Sequence, residues 1–500
     1  MRTSAVLLAL ASLAAAPLVL TAQAPPSAAA DIQLQLGDLL ARDARFRDAA
    51  DAYRRARAAA GDDPAVRSRA QAGLALMLLR TGDFAAARIE AEQLTHAPGV
   101  NAAALAIYGD ALWSSGLFEE AEEAYDGALK LDGGDPRAHH GRARALTGHS
   151  RLREALIEAR EALNASPRDA ELHHTLGVIL EREHQFDEAA AAFADYVNLL
   201  PDRDHSQKAL WTRSEIRFLD SFKGRTPVTI AGATRTWTVP VRIDRDKVLV
   251  RVKINGGPAS DFVLDTGAEQ IVLSRDVASR RRVAPITYMP AAGVGDSGLR
   301  GLQVGRIDTL ELGDLRVENV PCLIKNPPLS GLPSREPESF SPLALGLSMR
   351  VDYVRRELTM AAVLPPATYA TELPLRLYRL ATVRGSVNGQ PVTFVVDTGG
   401  EVISISRSTA GMFAVPSGSR RIALKVYGTS GWDKDAFLLP NVDLDFNSIH
   451  FSKIPVVVLN LQAPSALLGF QLGGIVGHRF LSKYRVTIDL QRSVVGLDPA

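Results

Sequence analysis

Two aspartates stand in nearly identical surroundings in this chain, and paired carboxyl groups can carry out acid–base chemistry without a metal. The first lies in Phe262-Val263-Leu264-Asp265-Thr266-Gly267-Ala268-Glu269, the second in Phe394-Val395-Val396-Asp397-Thr398-Gly399-Gly400-Glu401. One Asp-Thr-Gly arises by chance in about one chain in ten of this length. Two copies, each closing an apolar run, are far more specific. Two carboxyls held about 3 Å apart cannot both ionise easily, so they share a proton and titrate as a pair. One form is then a general base and the other a general acid toward a water between them.

The elements that must position these aspartates are duplicated as well. Val252-Lys253-Ile254-Asn255-Gly256-Gly257-Pro258 precedes the first, and Gly385-Ser386-Val387-Asn388-Gly389-Gln390-Pro391 the second. Asn-Gly between apolar runs predicts a tight hairpin, because both turn residues need positive φ. Downstream, Leu310-Glu311-Leu312 and Val320-Pro321 match Val442-Asp443-Leu444 and Ile454-Pro455. Ala344-Leu345-Gly346 is then aligned with Ile475-Val476-Gly477, 81 and 80 residues after the respective aspartates. The expectation is two homologous all-β lobes, 225–364 and 371–500, with 365–370 as linker.

On these motifs the region resembles the retropepsin-like aspartic proteases, over about the C-terminal 275 residues. The resemblance implies peptide-bond hydrolysis by a dyad of Asp265 and Asp397, a polypeptide substrate and no cofactor. It implies that Thr266 and Thr398 bond across to the opposite loop, and that Gly267 and Gly399 allow close approach and donate amides to the carboxyls. Glu269 and Glu401 would order the loop or meet substrate amides; solvated loop acids are the equal alternative. Flaps over the cleft are expected at residues 293–298, including Gly295, and at residues 427–432. In the second flap Tyr427 and Gly428 form the hairpin, and Trp432 either walls the substrate site or packs under the hairpin. Two lobes in one chain favour an intramolecular pair, with pairing between chains as the alternative. One departure stands out. After Gly477 the chain has room for a short helix before the strand at 485–489, whereas Gly346 reaches Val351 with about six residues fewer. The lobe-one helix is therefore expected to be shortened or absent, behind a Pro/Ser-rich stretch at 326–342. That departure motivates a second reading, a non-catalytic scaffold that binds peptides with protease-like lobes.

The N-terminal half is alanine-rich and helical in period. Ala87, Ala121, Ala155 and Ala189 recur every 34 residues, as do Phe84, Phe118, Leu152 and Phe186, and Ala75, Gly109, Ala143 and Gly177. Small residues at fixed positions let paired helices approach, and Tyr125 and Phe193 fill the gap. This resembles tetratricopeptide repeats, an all-α solenoid whose groove binds a peptide or protein partner. Four to five units are expected over 31–203, then a capping helix or linker at 204–224. His140 and His174, 34 apart, are equivalent positions better suited to water or a partner than to a metal.

Residues 1–30 read as a secretory signal, with Arg2, an apolar run at 5–20 and Ala22-Gln23-Ala24 as a cleavage site. A bacterial periplasmic or secreted location follows as the expectation. After the signal no apolar stretch is long enough to span a bilayer. The single cysteine, Cys322, excludes an intrachain disulfide framework and reads as core. A net charge of +1 gives no reason to expect nucleic acid. No nucleotide-binding loop, zinc-spaced Cys/His set or serine-nucleophile constellation is present; the run at 295–298 shares only letters with a serine-protease signature.

Overall fold

A computed structural model describes residues 26–96, 99–201, 203–232, 234–325, 338–413, 421–428 and 430–500. The cleavage site at 22–24 and most of the Pro/Ser-rich stretch lie outside the described residues.

Ten helices, from Pro26–Arg42 to Phe186–Leu199, form five antiparallel pairs among the described residues. The repeat spacing has a direct packing cause. Tyr125 lies in the gap between helices, and a β-carbon at Gly109 or Gly141 would fall 2.5 or 2.3 Å from its ring. Phe193 does the same against Gly177, and Tyr53 against Gly37 and Gly73. Each large ring needs glycine opposite it, which keeps the two residue types in step. His140 bonds Thr175 Oγ1 at 2.8 Å, and His174 packs between Phe193 and Tyr196, so both imidazoles are part of the packing. The expected cap is the helix Gln207–Asp220. It lies against the last repeat and also against lobe one, where Phe218, Leu219 and Phe222 pack with Met289 and Val304.

Each lobe is built around the predicted hairpin. Asn255 and Gly256 have φ of 48° and 69°, and Asn388 and Gly389 have 48° and 77°. The hairpins align Ser260–Leu264 with Lys247–Ile254, and Gln390–Val396 with Ala381–Val387, antiparallel. Each aspartate-bearing strand then gains a parallel partner: Glu338–Phe340 in lobe one and Gly474–Val476 in lobe two. Thr236–Pro240, Glu357–Ala361 and Ser348–Asp352 continue across the lobe boundary into Tyr484–Asp489, Val494–Pro499 and Thr371–Leu377. At the junction Val351 pairs with Val486 and Met349 with Ile488. The lobes therefore pair within one chain. One hydrophobic core runs through both, and Cys322 is buried in it.

The strand registers correct the alignment of Ala344-Leu345-Gly346 with Ile475-Val476-Gly477. Asp265 N bonds Phe340 O at 2.9 Å, and Asp397 N bonds Val476 O at 3.0 Å. Phe340 is thus the counterpart of Val476, and Ser341 that of Gly477. The helix His478–Leu481 has its counterpart in the 3-10 turn Pro342–Leu345. Six residues are not missing: Ser341 reaches Asp352 in 11 steps, Gly477 reaches Asp489 in 12. The small-residue match misled because lobe one uses serine where lobe two uses glycine.

Candidate active site

The two Asp-Thr-Gly loops clasp each other. Thr266 Oγ1 donates to Val396 O at 2.6 Å and accepts from Thr398 N at 3.1 Å. Thr398 Oγ1 donates to Leu264 O at 2.8 Å and accepts from Thr266 N at 3.1 Å. Both threonines are fully buried, so these four bonds satisfy groups that water cannot reach. The clasp carries each aspartate across to the other loop's glycine. A β-carbon on Gly267 would lie 2.5 Å from Asp397 Cγ, and one on Gly399 would lie 2.5 Å from Asp265 Cγ. No residue but glycine fits either position.

The carboxyls meet in this space and hydrogen-bond to each other. Asp265 Oδ1 accepts from Gly267 N at 3.0 Å. Asp397 Oδ1 accepts from Gly399 N at 2.9 Å and also from Gly400 N at 2.8 Å. Burial, and then the neighbouring Asp265 charge, push the Asp397 carboxyl up to about 7 despite those amides. A carboxyl pair with one proton between its members can both withdraw and deliver a proton.

Two cross-lobe ion pairs escaped the sequence reading. Arg379 Nε bonds Glu269 Oε1 at 2.6 Å, and Lys247 Nζ lies 3.7 Å from Glu401 Oε1. Lys247 also donates to Gly399 O. Each base stands 18 positions before an aspartate and reaches the opposite lobe's loop. That shared spacing was the signal available. The two acids differ: the Glu269 side chain is 32% exposed and the Glu401 side chain 62%.

The flap tips bond to each other. Ser430 N donates to Val294 O at 3.1 Å, Ser297 N to Ser430 O at 3.0 Å, and Asp296 N to Trp432 O at 3.0 Å. Gly295, at φ 134°, sits where a β-carbon would meet Ser430 O at 2.4 Å. Beneath lies a cavity of about 550 Å³ lined by Asp265, Gly267 and Glu269, by Tyr427 and Gly428, and by an apolar floor including Val272 and Leu302. Trp432 stands edge-on to Tyr427, is partly exposed, and is not among the residues lining this cavity.

The repeats are fastened to the lobes by charge and by backbone. Arg376, nearly fully buried, bonds Glu119 and Glu122 at 2.8 Å each, and Arg384 bonds Glu119 and Glu120. Gln471 N donates to Ser114 O, and Thr393 Oγ1 to Gly116 O. Phe118 packs edge-on against Phe470.

Comparison with known proteins agrees with this division. Residues 250–348 match the family model described as aspartyl protease, and residues 383–472 match the putative aspartyl protease of gag polyproteins. Residues 34–99 and 79–136 match a tetratricopeptide-repeat model. Among solved structures, the chain is similar to a thermophilic tetratricopeptide-repeat protein of Thermus thermophilus, at 19% identity and TM-score 0.33, covering 39% of this chain and all of that one. It is also similar to PilF of Pseudomonas aeruginosa, at 16% identity and TM-score 0.30, covering 40% and 87%. The chain thus joins tetratricopeptide repeats to a tandem pair of aspartyl-protease lobes.

Proposed function

We propose that the protein is an aspartic endopeptidase in which Asp265 and Asp397 together activate a water against a peptide carbonyl and protonate the departing amine. The observation that carries this reading is the four-bond threonine clasp, which brings the two carboxyls into hydrogen-bond contact. The shared proton is what the chemistry requires. The ionised member accepts a proton from water as it attacks, and the protonated member polarises the carbonyl. The flaps exclude bulk water and must part to admit a chain. We further propose a periplasmic or secreted location, on the apolar leader, and recruitment of a peptide or protein by the repeat groove. The scaffold reading loses its motive, since the lobe-one end is one residue shorter and not six.

Incubation of the protein with unfolded polypeptide at mildly acidic pH should generate new termini, detectable by mass spectrometry. Asp265→Asn and Asp397→Asn should each lose roughly 10⁴-fold in rate. Equal cleavage by the double Asn variant would remove the assignment. The rate should fall as pH rises through about 7, where the pair surrenders its shared proton. Stability follows the same sign: the folded Asp397 binds its proton more tightly than the unfolded chain does, so stability declines as pH climbs from about 4 toward 7.

A further inference from the structure

A second cavity, of about 440 Å³, lies between the repeats and the lobe-one loop. It shares Ala268, Glu269, Gln270, Met289 and Arg379 with the cavity that holds Asp265. Its far wall belongs to the repeat half: Glu181 of the helix Ala170–Arg182 and Glu215 of the helix Gln207–Asp220. These two carboxyls hydrogen-bond to each other. Three carboxyl groups thus share the cavity with two guanidiniums that are already engaged, Arg379 on Glu269 and Arg182 on the carbonyls of Thr147 and Leu377. Leu152, Val178, Phe186 and Met289 supply apolar lining suited to an alkyl stem. The buried Oε1 of Gln270, a residue on the shared wall, has no hydrogen-bond partner and lacks a donor.

We propose that this interdomain cavity is a subsite for a basic side chain of the polypeptide substrate, a lysine or arginine lying beyond the Glu269–Arg379 pair as seen from the dyad. The proposal rests on the peptidase reading and adds the substrate class. A long alkyl chain ending in an ammonium or guanidinium matches apolar walls that end in paired carboxyls. Burial raises both Glu181 and Glu215, helped by the Glu215 charge on Glu181 and by the Glu269 charge on Glu215, so the pair holds a proton that an incoming cation displaces. Among the described residues the symmetric place in lobe two differs: Glu401 and Lys247 occupy it, and Glu401 is largely in solvent. Selection therefore acts at one end of the cleft.

The test uses the full chain and matched peptides in which lysine or norleucine is moved position by position along one sequence, each with a free or an acetylated amino terminus. At one fixed distance from the scissile bond, lysine should raise kcat/KM about tenfold over norleucine. The advantage should persist on acetylation and shrink toward one in Glu181→Gln/Glu215→Gln. A lysine advantage that vanishes on acetylation would assign the cavity to a chain terminus and overturn the side-chain proposal. Equal rates for lysine and norleucine at every position in the wild-type protein, or an undiminished ratio in the double Gln variant, would also overturn it. Calorimetry on Asp265→Asn/Asp397→Asn separates this proposal from its parent. Tighter binding of the lysine peptide without cleavage by the wild-type protein would reject the peptidase and keep the subsite; equal binding of both peptides would reject the subsite.

Discussion

The two Asp-Thr-Gly loops are copies of one unit, yet they are held by different means. In lobe two the loop is propped by its own chain: His478 N donates to Gly400 O at 2.8 Å, and Arg479 N to Glu401 O at 3.1 Å. In lobe one the residue at the place of His478 is Pro342, which has no N–H to give. Its carbonyl counterpart, at Ala268, lines the interdomain cavity instead. Both loops take a base from the opposite lobe, Arg379 here and Lys247 there, but among the described residues only this one faces a cavity walled by repeat helices. The lesson is that the Asp-Thr-Gly centre is symmetric while the backing of its two loops is not.

The clasp is the feature the loops share, so it gives the largest and most even effect. Thr266→Val or Thr398→Val keeps the shape but orphans a buried carbonyl and a buried N–H. Each should cost roughly 2–6 kcal/mol, and the two should match within error in urea denaturation. Serine in either place should recover most of the loss. A clear inequality would mean that one loop carries the pairing and would break the symmetric picture.

Carrying lobe one's proline into lobe two sharpens the contrast. His478→Pro removes the donor to Gly400 O and should cost about 1–3 kcal/mol. It should also slow peptide cleavage, since Gly400 N is one of the two amides on Asp397. Pro342→Ala, which returns an N–H to lobe one, should change stability by only a few tenths of that, because the cavity separates the turn from its acceptor. Thermal melts of the two variants, side by side, check this.

Much of this contrast was open to reading in the sequence, and the rest was hidden for identifiable reasons. The aspartates, the Asn-Gly hairpins and the repeat's paired glycines and rings are local patterns kept in step by packing, so spacing exposes them. Arg376 alternates with apolar neighbours along its strand as a solvated charge would, yet it is buried against Glu119 and Glu122, more than 250 positions away. Neither partner carries a period that announces the other. The helix Gln207–Asp220 reads as a cap because its amphipathic face fits the last repeat. Its contact with Met289 and Val304 depends on where lobe one lies, which no local pattern records. The misplaced Gly346 shows a third cause: a residue-type match was trusted where strand register decides.

The acids that follow the two glycines test whether the loops' surroundings differ as much as their burial implies. Glu269 makes a close, half-buried bond to Arg379, whereas Glu401 lies 3.7 Å from Lys247 with most of its side chain in water. Glu269→Gln should cost about 2 kcal/mol, because it weakens a charge-assisted bond and leaves Arg379 facing only the protonated repeat pair. Glu401→Gln should cost about 0.5 kcal/mol, and raising salt should erase even that. Denaturation at low and high ionic strength separates the two, since a screened pair fades and a walled pair does not. Equal and equally salt-sensitive losses would show that the repeats do not shield lobe one's loop.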